Sequence, residues 1–356
     1  MGAAVAPSPA GWSGLCGRWW WPACLDEELG PGCSQGQSVG RCRVSRRAEA
    51  GIRAGTWISL RRIVAVVDLA GFDDPNLASC AGLAPMLALA RRAGLADLVE
   101  ERLRLSGEGG ANAHLKVPAL VAGMVAGADS IDDMDLLRHG GMDRLFTGVR
   151  APSTLGIFLR TFTFGHVRQL EAVAARFLKA LAETTPVLPG ADQVCFVDVD
   201  DTIKATHGYG KQGAGYGYTG VKGLNALIAT VSTPICAPVI AATRLRKGNT
   251  NSARGAARIV ADALAVTKAC GGTGLVIVRA DSAYYGREVV AAARRGGAKF
   301  AVTARLSAPV LRAISGIAES AWTPIRYPNA IWDEAEQRLV SDADVAEVPP
   351  HRVHLP

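Results

Sequence analysis

The 356-residue sequence has few aromatic residues and none of the cysteine spacings of a zinc site. Aromatic residues make up only 6% of the chain, so base stacking is not expected to dominate any nucleic-acid binding. Cys16, Cys24, Cys33 and Cys42 are too widely spaced for the Cys-x₂₋₄-Cys pairs of zinc sites. The remaining cysteines stand singly in apolar segments, as inert thiols of a reduced cytosolic protein do: Cys80, Cys195, Cys236 and Cys270.

Signals for secretion or membrane insertion are also lacking. The N-terminus has no basic region followed by an apolar stretch and a cleavage site. One apolar run, from Gly223 to Thr243, is long enough to be weighed as a membrane span. Pro234 and Pro238 interrupt it, and its Val, Ile and Thr content favours two buried strands joined by a turn. The sequence therefore predicts a cytoplasmic protein without a membrane segment.

Composition and periodicity divide the chain into four regions. Residues 1–70 mix Gly, Pro and Trp without a regular period, so we expect a disordered extension. Residues 71–190 follow a helical period and end in a Pro-Gly linker. Residues 191–320 carry three successive strands and then alternate helix with strand, which predicts a mixed α/β sheet. Residues 321–356 begin a β-containing insert and end in an unstructured tail.

Two strand-like apolar runs end in carboxylates, which are the strongest candidates for chemistry. The first run, a predicted strand over 194–199, leads into Asp198 and Asp200, which share one face of the chain, and the second, a predicted strand over 275–280, leads into Asp281. Carboxylates gathered at one place repel each other unless a cation neutralises them, and Mg²⁺ prefers oxygen ligands. The pattern therefore predicts a two-metal site for phosphoryl chemistry on a nucleic acid. The alternative is that Asp198 and Asp201 only cap a turn.

A net charge of +7 and a pI of about 9.1 favour a polyanionic partner. The Gly-rich segment 207–218 lets a backbone approach a phosphate, although it lacks the ending of a Walker loop and is equally typical of a flexible hairpin. A basic cluster surrounds residues 249–252, where we expect a helix to begin, and this predicts either a phosphate site or a solvated face. The segment 151–160 predicts a helix that starts with a capping Ser153 after Pro152 and carries Arg160, compatible with a helix-turn-helix or with simple bundle packing. The predicted DNA-binding residues are Arg160, Lys211, Lys222, Arg244, Arg246, Lys247 and Arg254.

Several of these motifs occur together in one known family. The combination resembles the DDE-type transposases of bacterial insertion sequences, most closely the group numbered thirteen-eighty. It consists of Phe196–Thr202, His207-Gly208, Arg244–Asn249, Arg279–Ser282 and Tyr285-Gly286.

The resemblance implies a ribonuclease H-like catalytic domain, whose strand order the region 191–320 also matches. It implies Mg²⁺-dependent (or Mn²⁺-dependent) cleavage and strand transfer on double-stranded DNA, at element terminal repeats and at the target. A nucleoid-associated homodimer is the corresponding expectation. By position, Asp200 or its same-face neighbour Asp198 is the first catalytic carboxylate and metal ligand, and Asp281 is the second. Tyr284 and Tyr285 then either position DNA beside the metals or pack at a helix start.

The chain departs from the family at the third acid, a Glu on a later helix. Glu334, Glu336 and Glu347 lie in the wrong context, and none of them is assigned. We therefore expect a truncated or inactive copy.

Two alternatives stay open. A haloacid-dehalogenase-like phosphatase has a similar Asp-x-Asp-x-Thr motif, with Asp198 as nucleophile and Asp200 as acid/base, but it requires a parallel sheet. The other alternative is a non-catalytic DNA-binding remnant.

Overall fold

A computed structural model of the protein describes residues 2–5, 78–146, 148–208, 210–325, 331–334, 337–340 and 344–348. Of the predicted disordered extension 1–70, only residues 2–5 fall within these ranges, and they form a strand. That part of the prediction is therefore wrong, and the rest lies outside the described residues. The predicted unstructured tail, residues 349–356, lies outside the described residues.

Helices and turns make up the described chain from residue 78 to residue 190, as the periodicity predicts. Gly94 separates the first two helices with φ of 72°, a left-handed conformation that favours glycine. The longest helix begins with a capping box between Thr163 and His166. The helices are α1 (Leu83–Arg92), α2 (Leu95–Arg102), α3 (Ala113–Val125), α4 (Met142–Leu145), α5 (Pro152–Arg160) and α6 (Phe164–Thr184).

The helical region has its own hydrophobic core. Val99, Met142, Leu155 and Phe158 are completely buried in it. Leu155 and Phe158 lie three residues apart and therefore on the same face of α5, whereas Ile157 points away and is 55% exposed. Pro152 occupies the first turn of α5. The residue that precedes this helix as its N-cap is Ala151, so the predicted capping Ser is wrong, although the helix itself is confirmed.

A mixed sheet follows, and its strand order is β5–β4–β2–β6–β7, with β3 beside the start of β4. Strands β2, β4 and β5 form an antiparallel meander, while β6 and β7 run parallel to β2 after helical crossovers. The predicted meander and the alternation that follows it are confirmed. The elements are β1 (Gly2–Val5), β2 (Val194–Ala205), β3 (Gly215–Tyr216), β4 (Lys222–Thr233), β5 (Cys236–Lys247), α7 (Ala256–Ala269), β6 (Leu275–Ala280), α8 (Arg287–Arg295), β7 (Lys299–Val302), α9 (Ala308–Ser315), β8 (Thr323–Pro324), β9 (Ile331–Asp333), β10 (Arg338–Val340) and β11 (Asp344–Val348).

The two faces of this sheet differ in what covers them. Helices α7 and α8 pack against the face that carries Cys195, Val197 and Val199, and these side chains are buried in a second core. We call this the covered face. The alternate residues of β2 project to the opposite face, where Phe196 and Asp198 are half-buried and Asp200 is exposed. We call this the second face.

Helix α6 packs along the edge strand β5 and connects the helical region to the sheet. The backbone N–H of Leu245 donates to Glu171 Oε1 over 3.4 Å, so an outward-facing group of the edge strand has a partner. Burial raises the pKa of Glu171, and Arg168 and Arg244 oppose that rise. Arg244 also pairs with Asp262 of α7 at 2.6 Å.

The apolar run that was weighed as a membrane span forms most of β4 and β5, joined at Pro234-Ile235, as predicted. In the part of the chain that the structure describes, every helix is too short or too polar to cross a membrane. The four described cysteines are free, and burial raises the pKa of the Cys195 and Cys270 thiols, in keeping with inert thiols. The N-terminal cysteines lie outside the described residues.

Replacement of Phe158 by Ala should lower the free energy of unfolding by about 3–5 kcal/mol, because it removes a fully buried ring from the helical core. The ring also loses its edge-to-face contact with Phe162, whose centroid lies 5.1 Å away. Urea denaturation followed by circular dichroism measures the change.

Ile157→Ala is the matched control, since it truncates an exposed neighbour on the same helix. It should change stability by no more than about 0.5 kcal/mol. Equal losses in the two variants would contradict the assignment of the α5 core face.

Candidate active site

The acidic residues of β2 lie inside the strand rather than at its end. The sequence predicted a strand that stops near residue 199, but β2 continues to Ala205. The neighbouring strand β6 does stop, at Ala280, which pairs with Val199. The site is therefore the point where β2 extends beyond its parallel neighbour.

Asp198 is engaged in an ion pair on the second face. Arg279 of β6 donates to both carboxylate oxygens of Asp198, with Nε–Oδ1 and Nη2–Oδ2 distances of 2.6 and 2.7 Å. The guanidinium also lies over the Phe196 ring, 4.3 Å from its centroid. The hydrogen bonds to Asp198 raise the pKa of Arg279. A cation already occupies this carboxylate, which favours Asp200 over Asp198 as the principal metal ligand.

Asp200 of β2 and Asp281, the residue that follows β6, come directly after the last residue pair of the two parallel strands. That pair is Val199–Ala280, so the register brings Asp200 and Asp281 to the same end of the paired segment. Asp200 Oδ1 accepts a hydrogen bond from the N–H of Asp201 at 2.8 Å. Asp281 Oδ1 accepts from the N–H of Ala283 at 2.9 Å. The two predicted carboxylates thus follow the same residue pair, and their union in one site stays a prediction.

Asp201 belongs to the covered face and is buried there. Its side chain is 6% exposed and accepts hydrogen bonds from three side chains. Tyr284 Oη lies 2.9 Å from Oδ1, Arg246 Nη2 lies 3.0 Å from Oδ2, and the Asn225 amide also donates to Oδ2. Because Asp201 lies within the strand and pairs with Leu227 of β4, the alternative that it caps a turn is wrong.

Arg246 is buried beside Asp201 and uses all its nitrogens within the protein. Its side chain is 8% exposed. Nε donates to Asn225 Oδ1 at 2.8 Å, while Nη1 donates to the backbone carbonyls of Asn251, Ser252 and Arg254. Burial lowers the pKa of Arg246, an effect that Asp201 opposes. With every donor engaged, this guanidinium has none left for a phosphate, and the geometry opposes its predicted role in DNA binding.

The segment 249–255 forms turns around Arg246, and α7 begins only at Ala256. The predicted helix start near residue 251 is therefore wrong, and so is the phosphate site built on it. Arg244 is also turned inward, with an 18% exposed side chain paired to Asp262. The other predicted DNA contacts are exposed or half-exposed: Arg160, Lys211, Lys222, Lys247 and Arg254.

The glycines near the turn 207–218 are explained by close packing of backbones. A Cβ on Gly248 would lie 2.1 Å from the Gly223 carbonyl oxygen and 2.4 Å from that of Gly215. A Cβ on Gly217 would lie 2.7 Å from the Gly248 carbonyl oxygen. These contacts require glycine, and they support the hairpin interpretation of this segment over a phosphate loop.

Sequence reasoning missed three residues of this site. Tyr284 was expected to contact DNA or to pack at a helix start, but it is 1% exposed and bonds to Asp201. Asn225 was considered only as a polar residue that interrupts the apolar run from Gly223 to Thr243. Lys204 shares the parity of Asp200 in β2 and therefore lies on the same face, so strand alternation alone could have identified it.

The carboxylates at this site suit a Mg²⁺ or Mn²⁺ ion that arrives with a phosphate. Mg²⁺ is commonly held by one or two carboxylates together with substrate phosphates. Asp200 and Asp281 supply two such groups. Among the residues that the structure describes, no group of three or more His, Cys, Asp and Glu side chains is placed to hold a metal ion.

Arg246→Ala should lower the free energy of unfolding by about 3–5 kcal/mol, because it leaves the buried Asp201 carboxylate without its counter-charge. Arg246→Lys should recover little, since an ammonium cannot reproduce the bonds to Asn225 and three carbonyls. Chemical denaturation measures both variants.

Lys247→Ala is the matched control, because it removes a charge from the adjacent exposed position. A change within about 0.5 kcal/mol is expected. If Arg246→Ala were as stable as this control, the buried ion pair would have no structural importance.

No curated protein matches the chain. Similar solved structures include a piggyBac transposase synaptic complex with hairpin DNA, at 12% identity and a TM-score of 0.31, covering 70% of this chain and 55% of that one. They also include the Mos1 strand transfer complex, at 13% identity and a TM-score of 0.19, covering 55% of this chain and 59% of that one. A Mos1 transposase paired-end complex with the left transposon end is similar at 14% identity and a TM-score of 0.19, covering 55% and 60%. The chain thus spans less than two thirds of each of these proteins.

The family model gives the assignment. The model described as transposase DDE domain group 1 matches residues 56–345, a span that contains both strands of the candidate site. The chain belongs to the DDE transposase domain family of group 1.

Proposed function

We propose that this protein acts as an insertion-sequence transposase of the group numbered thirteen-eighty. It would cleave double-stranded DNA at element ends and join those ends to target DNA in a metal-dependent reaction. The observation that carries the proposal is the register of β2 and β6, in which Asp200 and Asp281 each follow the last residue pair, Val199–Ala280. Membership of the DDE transposase domain family supports it.

The topology of the sheet supports a ribonuclease H-like catalytic domain. In the order of the chain, its five main strands lie in the spatial sequence three-two-one-four-five, with the second strand antiparallel to the first. The first catalytic acid would then lie on the central strand and the second at the end of the strand parallel to it. Asp200 on β2 and Asp281 after β6 occupy these positions.

Divalent ions bound here would activate water or a 3′-hydroxyl for in-line attack on a phosphodiester. The residues that would hold them are Asp200 and Asp281, with Asp198 kept in its pair with Arg279. That pair has no net charge, but it keeps the Arg279 guanidinium beside the site. A phosphate that approaches Asp200 would meet Arg279 on the same face of the sheet, because Arg279 pairs with Asp198 in register.

The second face also offers a surface for the DNA backbone. Lys204 lies on the same face of β2 as Asp200, about 13 Å further along the strand. Lys247 of β5 and Lys204 both pair in register with Leu224 of β4, so all three side chains share that face. Lys222 lies two residues from Leu224 and projects to the same side. We call Lys204, Lys222 and Lys247 the lysine row, and propose that it holds phosphates flanking the cleaved bond.

The phosphatase alternative has less support. It requires a parallel sheet, whereas β4 runs antiparallel to both β2 and β5. It also requires Asp198 as a nucleophile, but both oxygens of Asp198 accept hydrogen bonds from Arg279. A DNA-binding protein without catalysis is distinguished from a transposase by the metal site, which can be tested directly.

Fe²⁺ substituted for Mg²⁺ should cut the polypeptide near residues 200 and 281 when ascorbate and peroxide are added, because hydroxyl radicals form at the bound ion. Asp200→Asn and Asp281→Asn should each abolish both cuts, since neither carboxylate holds the ion alone. Asp281→Ala should likewise abolish any Mg²⁺-dependent nicking of supercoiled DNA. Gel electrophoresis measures both reactions.

Asp192→Asn serves as the control, because it alters an exposed carboxylate in the turn before β2. It should leave the cuts in place. Cuts that persist in Asp281→Asn would remove Asp281 from the site, whereas the absence of cuts in the unmodified protein would leave a DNA-binding protein without this metal centre.

Replacing the lysine row by alanines should weaken binding of duplex DNA at every sequence. It should also reduce the slope of log K against log salt by about 3, because three phosphate contacts are lost. Fluorescence anisotropy between low and moderate salt concentrations measures the slope.

A triple alanine variant of Arg294, Arg295 and Lys299 makes the same charge change at exposed positions where α8 ends and β7 begins. Its slope should stay close to that of the unmodified protein. Equal reductions in the two triple variants would show that only net charge matters and would refute the lysine row as a binding surface.

A further inference from the structure

We propose that Tyr284 is a positioning residue for the metal site. Its hydrogen bond to Asp201 holds Asp281 in place beside Asp200. This inference rests on the proposed function, because it assigns a role to a residue that itself touches neither DNA nor metal.

The sheet alone does not fix Asp281. Backbone pairing between β2 and β6 ends at Val199 and Ala280, one residue before the two carboxylates. Beyond that point β2 continues along β4, whereas the chain after β6 leaves the sheet. Asp200 therefore sits in a paired strand and Asp281 begins a turn. A second link between the two is needed to keep their separation constant.

The turn after β6 connects Asp281 rigidly to Tyr284. Residues Ser282–Tyr284 form a single 3₁₀ turn, which Asp281 caps by accepting from the N–H of Ala283 at 2.9 Å. The N–H of Tyr284 donates to the carbonyl of Asp281 at 3.2 Å. One side-chain and one backbone hydrogen bond therefore close the turn, so the position of Asp281 depends on the position of Tyr284.

Tyr284 is in turn fixed to β2. Its side chain is buried in the core of the sheet, and its hydroxyl donates to Asp201 Oδ1 at 2.9 Å. Asp201 is the residue after Asp200, and its other oxygen is held by Arg246 and Asn225. The hydroxyl thus bonds to an anchor that cannot move independently of β2. The second link runs from Asp281 through the turn to Tyr284, and from there through Asp201 to Asp200.

A hydroxyl is not required to fill the space. A phenylalanine at position 284 would bury the same ring in the same hydrophobic core of the sheet. Asp201 would keep its bonds to Arg246 and Asn225. Tyr284→Phe therefore removes the link while it preserves packing and the buried ion pair.

Tyr284→Phe should bind Mn²⁺ about 10-fold more weakly than the unmodified protein, as loss of an outer-shell partner of a metal site commonly does. The enhancement of water proton relaxation by bound Mn²⁺ measures the affinity. Excess Mn²⁺ should restore full occupancy, which a partly unfolded protein would not show. Without metal, backbone deuterium uptake should rise within residues 281–286 and stay unchanged in β4 and β5.

Tyr285→Phe is the matched control, because it removes a hydroxyl from the next residue, which does not bond to Asp201. It should show unchanged Mn²⁺ affinity and unchanged deuterium uptake.

The outcomes separate this inference from the proposed function. If the unmodified protein binds no Mn²⁺ but uptake in 281–286 still rises only in Tyr284→Phe, the positioning role stands and the metal site is refuted. If Tyr284→Phe matches the control in both measurements, Tyr284 has no positioning role. Increased uptake throughout the sheet would show a general stabilising role and would equally overturn the proposal.

Discussion

The buried ion pair between Arg246 and Asp201 is the interaction on which the site depends. Two charges taken out of water are tolerated only when the remaining donors and acceptors are also satisfied. Here Asn225, Tyr284 and three backbone carbonyls complete the network. Because these groups come from β4, the end of β6 and the turns before α7, one guanidinium ties together the parts of the fold that surround the carboxylates.

This pair also fixes which residues of β2 face outward. In a strand, a shift of one residue exchanges the two faces. A shifted β2 would expose Asp201 and would drive Asp200 and Lys204 into the core against α7. The cost of burying those charges without partners is several kcal/mol each, so the register is strongly determined. Asp200 is therefore presented on the second face partly because its neighbour Asp201 is bound on the other.

The sequence predicted most of the fold but only part of the site. Strand β6 has the predicted bounds, and the meander of β2, β4 and β5 follows from apolar runs separated by turn residues. Arg246 was misjudged because a basic run suggests a solvated surface, and nothing local reveals that Asp201 lies across two strands. Alternation along β5 puts Arg244 and Arg246 on one face and Lys247 on the other. Which of these faces is the covered one becomes clear only from the pairing of β5 with β4.

The acidic motif of β2 is neutralised largely by side chains of the protein itself. Asp198, Asp200 and Asp201 lie within four positions, and their mutual repulsion suggested that metal ions were needed to hold them together. In the structure two guanidinium groups relieve that repulsion, with Arg279 on Asp198 and Arg246 on Asp201. Counting carboxylates along one strand thus overstates the number available to a metal, because cations arrive from neighbouring strands. Under the proposed function, Asp200 and Asp281 would remain for divalent ions, a set that suits ions carried partly by substrate phosphates.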